Sequence, residues 1–154
     1  MINARAETIL EKPAYRKAFL NRRCLVPAGG FYEWKKEGTA KQPFLIRRRD
    51  HSPIAFAGLW ERWDDHGQQK PLETFTIITT AANELVRPIH ERMPLILSPD
   101  QFEAWLSPGE PSAELRSAPK ADELEAVPIS TWVNSPAHDD PRCMEPVIDS
   151  SVRF

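Results

Sequence analysis

The sequence predicts an α+β fold, mainly antiparallel strands in a barrel-like arrangement with a few short peripheral helices. Three observations carry this expectation. Segments rich in strand-forming residues outnumber segments with helical spacing, the connections between them are short, and prolines punctuate the chain throughout. No internal repeat or low-complexity tract interrupts the pattern. The 154 residues and 17.6 kDa fit one domain over 1–154. A chain of this length buries about 68–70% of its unfolded surface, enough for a core without disulfide or metal staples.

Each element follows in order. Residues 5–20 read as helical, broken into two, with Pro13 in the first turn of the second and Tyr15, Ala18 and Phe19 as its apolar stripe. Cys24-Leu25-Val26-Pro27 reads as a short buried strand, and Ala28-Gly29-Gly30 as a turn or bulge. Residues 31–36 alternate, so Phe31, Glu33 and Lys35 share one face and Tyr32, Trp34 and Lys36 the other. A hairpin loop over 37–42 leads to a partner strand over 44–48, and further strands are expected at 55–63 and 72–80, joined by a polar loop over 64–70. Asn83 caps a short helix through Val86, and Pro88 and Pro94 bracket a loop before a strand at 95–97. Ser98-Pro99-Asp100 opens a helix that buries Phe102, Trp105 and Leu106. A helix at 113–117, a strand at 126–130 and an irregular tail over 134–146 complete the chain.

Composition narrows the function classes. Hydrophobic residues at 41%, charged residues at 27% and a mean hydropathy of -0.48 describe a soluble, cytoplasmic type of chain. No apolar run nears the ~20 residues of a spanning helix. Two cysteines, Cys24 and Cys143, make no disulfide framework and no four-ligand zinc site. The net charge of -2 hides a polarity: residues 1–49 carry 12 Lys/Arg against 4 Asp/Glu, the rest 8 against 18. Either an anionic partner meets the basic third, or its cations are solvated strand ends and turns. Tyr15, Phe31, Tyr32 and Trp34 interleave with those cations, as in surfaces that stack nucleic-acid bases.

No glycine-rich phosphate loop, His-Glu-x-x-His, Gly-x-Ser-x-Gly or Cys-x-x-Cys is present, and His51, His66, His90 and His138 have no metal-ligand spacing. Three places can carry chemistry. Glu33 lies between aromatics in an apolar strand: either a carboxylate held for proton transfer or a solvent-facing edge residue. His90 sits in the proline-bracketed loop with Arg92 two residues on: an acid/base group beside a phosphate, or an incidental loop histidine. Asn3 opens Asn3-Ala4-Arg5-Ala6-Glu7-Thr8, where its plain reading is a helix cap.

Taken together, these blocks resemble the SRAP family (SOS response-associated peptidase). The likeness runs through Asn3-Ala4-Arg5-Ala6-Glu7-Thr8, Gly30-Phe31-Tyr32-Glu33-Trp34, Gln42-Pro43-Phe44, Phe56-Ala57-Gly58-Leu59-Trp60 and Thr76-Ile77-Ile78-Thr79-Thr80. It continues through Ile89-His90-Glu91-Arg92-Met93-Pro94, Val133-Asn134 and Glu145-Pro146-Val147, nearly the whole chain. The resemblance implies a barrel-like SRAP fold and a protein of the DNA-damage response that shields abasic sites in single-stranded DNA. In that chemistry an N-terminal cysteine, exposed by removal of Met from Met-Cys-Gly-Arg, forms an imine and then a thiazolidine with the open sugar aldehyde. By the same resemblance, Asn3, Glu33 and His90 are catalytic. Asn3 positions the cysteine and sugar, Glu33 serves imine formation, and His90 protonates the sugar hydroxyl and assists reversal. Arg5 and Arg92 grip phosphates and Trp34 supports the nucleotide pocket. No cofactor, metal or membrane is implied, and the intact form is expected to be a monomer, nucleoid-associated when bound to DNA.

Residue 2 is Ile rather than Cys. Against the family pattern Met1-Ile2 corresponds to an internal position, so the expectation is an N-terminally shortened domain without its nucleophile, unable to crosslink and with exposed sheet edges. Gly29, Trp132 and Ser135 also depart from the pattern. Two other readings are carried forward: a non-covalent single-stranded DNA-binding module, and a cysteine-type peptidase using Cys24 or Cys143 with His90.

Overall fold

The computed structural model describes residues 3–64, 71–117 and 119–147. Met1, Ile2, His66 and most of the expected 64–70 loop lie outside them. The described residues form nine strands in two sheets and two α-helices, an α+β fold as expected. The larger sheet runs β1-β6-β5-β2, from β1 (Asn3–Arg5), β2 (Arg23–Ala28), β5 (Ile54–Trp63) and β6 (Leu72–Ala81). Two short strands extend it: β7 (Arg92–Pro94) on β6 and β8 (Ile96–Leu97) on β5. Every pairing in it is antiparallel except β1 with β6, where Asn3 lies opposite Ile77. The smaller sheet runs β3-β4-β9, from β3 (Phe31–Glu37), β4 (Ala40–Arg48) and β9 (Leu124–Pro128).

The larger sheet is covered on both faces, which explains why β5 reads as a nearly continuous apolar run. Ala57 and Leu59 join a core with Phe19 and Trp105 from α1 (Pro13–Asn21) and α2 (Phe102–Leu106). The alternate residues Ile54 and Phe56 face the smaller sheet, in a second core with Ile46, Met93 and Leu124. Tyr15, Ala18 and Phe19 form the buried stripe of α1 as expected, with Pro13 at its start. Arg23 is buried at the helix side. Its guanidinium donates to the carbonyls of Phe19, Trp105, Ser107 and Gly109 instead of meeting a carboxylate. Gly30 allows β3 to meet β4: a Cβ there would stand 2.6 Å from the Ile46 carbonyl oxygen.

Several local expectations are corrected. Asn3 caps no helix; it opens β1, because pairing with β6 satisfies backbone that a cap would otherwise serve. Residues 6–8 form a 3-10 turn rather than the first of the two expected helices. The β3–β4 turn is only Gly38-Thr39, with Gly38 at φ 62°, so both strands extend further than read. Asn83 caps a turn rather than a helix, its Oδ1 accepting from the Val86 amide at 3.1 Å. Arg92–Pro94 is a strand, since β6 offers it a ladder. Leu106 is half exposed because α2 spans only five residues and turns just one side inward. The tail holds a 3-10 turn at Pro141–Met144 and a bridge from Ile129 to Pro146. At the far end of β5 and β6, Trp60, Trp63, Leu72 and Phe75 are exposed. Among the described residues no helix is long and apolar enough to cross a membrane.

Candidate active site

The site lies where the two sheets meet, and the pleat decides which side chains enter it. In β1 the outer positions Asn3 and Arg5 line a cavity, while Ala4 between them is buried towards the helices. In β6, Ile77 and Thr79 line it and Ile78 belongs to the helix-side core. From β3 come Phe31, Tyr32 and Glu33, and from the β7 region His90, Arg92, Met93 and Pro94. The cavity measures about 430 Å³. Thus Asn3, Arg5, Glu33, His90 and Arg92, drawn from three separate segments, converge on one hollow. Trp34 does not line it. The alternation of β3 puts its indole across the strand, where Nε1 donates to Asn134 Oδ1 at 2.7 Å.

Glu33 and His90 face each other, with His90 Nδ1 3.8 Å from Glu33 Oε1. Burial pushes the Glu33 carboxyl above the usual range, against the opposing pull of the His90 charge and of the Trp34 backbone. The His90 Nδ1 lies 3.1 Å from the Arg92 amide, from which it accepts in one tautomer, and 3.0 Å from the Arg92 carbonyl, to which it donates in the other. The turn before it fixes the loop, the His90 amide donating to the Val86 carbonyl at 2.9 Å.

Arg92 is held rather than free. Its two terminal nitrogens donate to Glu7 at 2.7 and 3.1 Å, and one also donates to the Thr79 carbonyl at 2.8 Å. The guanidinium in turn holds the Glu7 carboxyl below its ordinary range. Arg92 Nε is buried without an acceptor among the described residues. Arg5 is exposed, and its side chain makes no hydrogen bond or ion pair with the described residues. Glu7 and Thr79 are contributions that the sequence reading missed. Glu7 stands in a quoted block, but its arginine partner is 85 residues away and no local signal links them.

The two cysteines lie elsewhere. Cys24 packs on β5, where a Cβ at Gly58 would meet its Sγ at 2.9 Å, and burial pushes its thiol up. Cys143 is buried in the tail and donates to the His138 carbonyl at 3.6 Å. Neither lines the cavity or bonds to His90, so the pairing of Cys24 or Cys143 with His90 is not formed: the fold spends both thiols on packing. Among the described residues no three His, Cys, Asp or Glu side chains gather as metal ligands.

Residues 1–136 match the family described as SOS response associated peptidase (SRAP). The chain belongs to the SRAP family. Its relatives include proteins named abasic site processing protein. YoaM of Bacillus subtilis is 45% identical over 150 residues, covering 94% of this chain and 66% of the relative. HMCES of Gallus gallus is 36% identical over 167 residues, covering 94% of this chain and 50% of the relative. A crystal structure of a protein from Bacteroides thetaiotaomicron is 35% identical, with a TM-score of 0.85 over 95% of this chain and 66% of that one. The SRAP chain therefore spans about two thirds of the length of these bacterial proteins and half that of the chicken relative.

Proposed function

We propose that this SRAP cavity binds the open sugar of an abasic site in single-stranded DNA and moves protons at its C1′ aldehyde and hydroxyl oxygens. The observation that carries the reading is the juxtaposition of Glu33 and His90 across one hollow that also holds Asn3, Arg5 and Arg92. The names of the relatives give the same substrate class.

Adding an amine to an aldehyde gives a carbinolamine, and loss of water then gives an imine. The hydroxyl must leave protonated, which asks for an acid whose pKa stands above that of an ordinary carboxyl. Half-buried Glu33 supplies it. His90, 3.8 Å from Glu33, serves a second oxygen of the sugar, its hydroxyl, from across the hollow. Asn3 offers an amide to orient the sugar. Arg5, exposed and without a partner among the described residues, grips a flanking phosphate. Arg92, clamped by Glu7 and Thr79, holds a fixed guanidinium at the cavity, with its buried Nε–H unbonded among the described residues. Closing a thiazolidine needs a thiol on the same residue as the amine, and both cysteines of this chain sit outside the cavity. Neither Cys24 nor Cys143 is placed to close that ring, so the residues of this cavity act on the lesion by binding it and moving its protons.

The test uses two single-stranded oligonucleotides that differ only in one central abasic site. Tighter binding of the lesion strand in solution, with no heat-stable shifted band on a denaturing gel, is the expected result. Equal affinity for the two strands would remove the reading of the cavity, and a heat-stable band would refute the argument about the thiol.

A further inference from the structure

Glu7 stands outside the ring of residues that line the cavity, yet it is tied to the residue that meets the His90 imidazole twice. The Arg92 amide and carbonyl lie 3.1 and 3.0 Å from His90 Nδ1, so the ring turns with the Arg92 backbone. On its other side the loop is fixed by the Val86 carbonyl, which accepts from the Ile89 and His90 amides. Arg92 opens β7, and a strand of three residues has few ladder bonds to hold it. Arg92 lies opposite Ala81, and just before it the Glu91 carbonyl accepts from the Ala82 amide.

The Arg92 side chain supplies what the ladder does not. Its guanidinium donates to both carboxylate oxygens of Glu7, at 2.7 and 3.1 Å, and to the Thr79 carbonyl at 2.8 Å. The Thr79 hydroxyl, 3.2 Å from the same guanidinium, donates in turn to the Ala4 carbonyl at 3.3 Å. Glu7 lies in the turn over Ala6–Thr8, where Ala4 and Ala6 on either side of Arg5 are buried against the helices. The fork therefore pins the start of β7 to the turn after β1 and to β6. The Glu7 side chain is 48% exposed, and exposed ion pairs add little to stability. Two parallel N–H···O bonds fix direction instead. A glutamine of the same shape offers one oxygen and turns an NH2 against the guanidinium, so it keeps the size of Glu7 and breaks the fork.

We propose that Glu7 is a positioning residue for the proton chemistry of the cavity, acting through Arg92 to hold the His90 imidazole facing Glu33. The proposal rests on the reading of the cavity as the site of an abasic sugar.

Two readouts test it. The first needs no DNA: long-range proton–nitrogen correlation spectra of the labelled protein report the tautomer of each histidine ring. In Glu7→Gln the His90 ring nitrogens are expected to move towards the values of a freely rotating imidazole, while those of His51 and His138 stay in place. The second is the condensation of free L-cysteine with a single-stranded abasic oligonucleotide, in which the amine adds to the aldehyde, water leaves and the thiol closes the ring. At saturating protein, Glu7→Gln is expected to slow the protein-dependent rate roughly 10- to 100-fold, with affinity for the lesion within about twofold of wild type. Arg92→Lys keeps the charge but loses the fork, so it should move the same His90 signals, and the double variant should be no slower than the slower single one. Where the wild type accelerates the condensation, His90 signals that stay in place in Glu7→Gln, an equal rate, or a loss confined to affinity would overturn the proposal. Where it does not, moved His90 signals would keep the link from Glu7 to His90 and reject the reading of the cavity, and unmoved ones would reject both.

Discussion

Glu33→Gln is expected to raise the melting temperature at neutral pH while lowering proton transfer to a bound lesion by on the order of 10²- to 10⁴-fold. Burial raises the Glu33 carboxyl pKa in the folded state, partly offset by the His90 charge. The folded protein therefore holds that proton more tightly than the unfolded chain. The stabilisation this gives is complete below the ordinary glutamate pKa and is lost as the pH rises through the raised value. Glutamine carries no charge at any pH, so its advantage over glutamate grows from about pH 4 towards pH 7. Thermal unfolding of both proteins across that range checks the first half. For the second, free L-cysteine supplies an amine and a thiol, and its condensation with an abasic oligonucleotide is timed with and without protein. The wild-type chain should accelerate the condensation, and the variant should fall back towards the protein-free rate. A wild-type chain more stable than the variant at pH 7 would mean that the attraction of His90 outweighs burial.

Trp105→Ala is expected to cost about 3–5 kcal/mol, the largest stability loss of any single substitution considered. Trp105 is fully buried, meets Phe19 edge-on at 6.0 Å, lies 5.6 Å from the Arg23 guanidinium and donates its indole N–H to the Cys24 carbonyl at 3.0 Å. Truncation leaves a cavity, removes the ring beneath a buried cation and strips a donor from a strand carbonyl. Domains are stable by only about 5–15 kcal/mol, so the loss would consume much of the total. Denaturant unfolding should show a lower midpoint at an unchanged slope. A shift worth less than about 1 kcal/mol would mean that the helix side of the sheet is far more loosely packed than described.

The sequence made most strands legible because β5 and β6 are rich in β-branched and aromatic residues and β3 alternates. The convergence of the site was legible only through the resemblance. Local pattern shows Glu33 and His90 as singular residues, but nothing local brings a loop histidine within 3.8 Å of a strand carboxylate 57 residues earlier. Asn3 was misread because a three-residue strand has no period of its own, and its partner Ile77 lies far along the chain. The division of β3 into a Glu33 face and a Trp34 face was visible in the alternation, yet which face borders the cavity depends on how the two sheets pack. Arg23 gave the opposite lesson. Beside Arg22 it reads as one half of a solvated doublet, and only the tertiary arrangement of four carbonyls makes its burial favourable.

The most direct measurement is an NMR titration of the isotopically labelled chain with a short single-stranded oligonucleotide carrying one abasic site. Saturable shifts concentrated at residues 3–5, 31–33, 77–79 and 90–93, absent or much weaker with the undamaged strand, are what the Glu33–His90 cavity requires. Shifts that spare those segments, or that are the same for both strands, would contradict it.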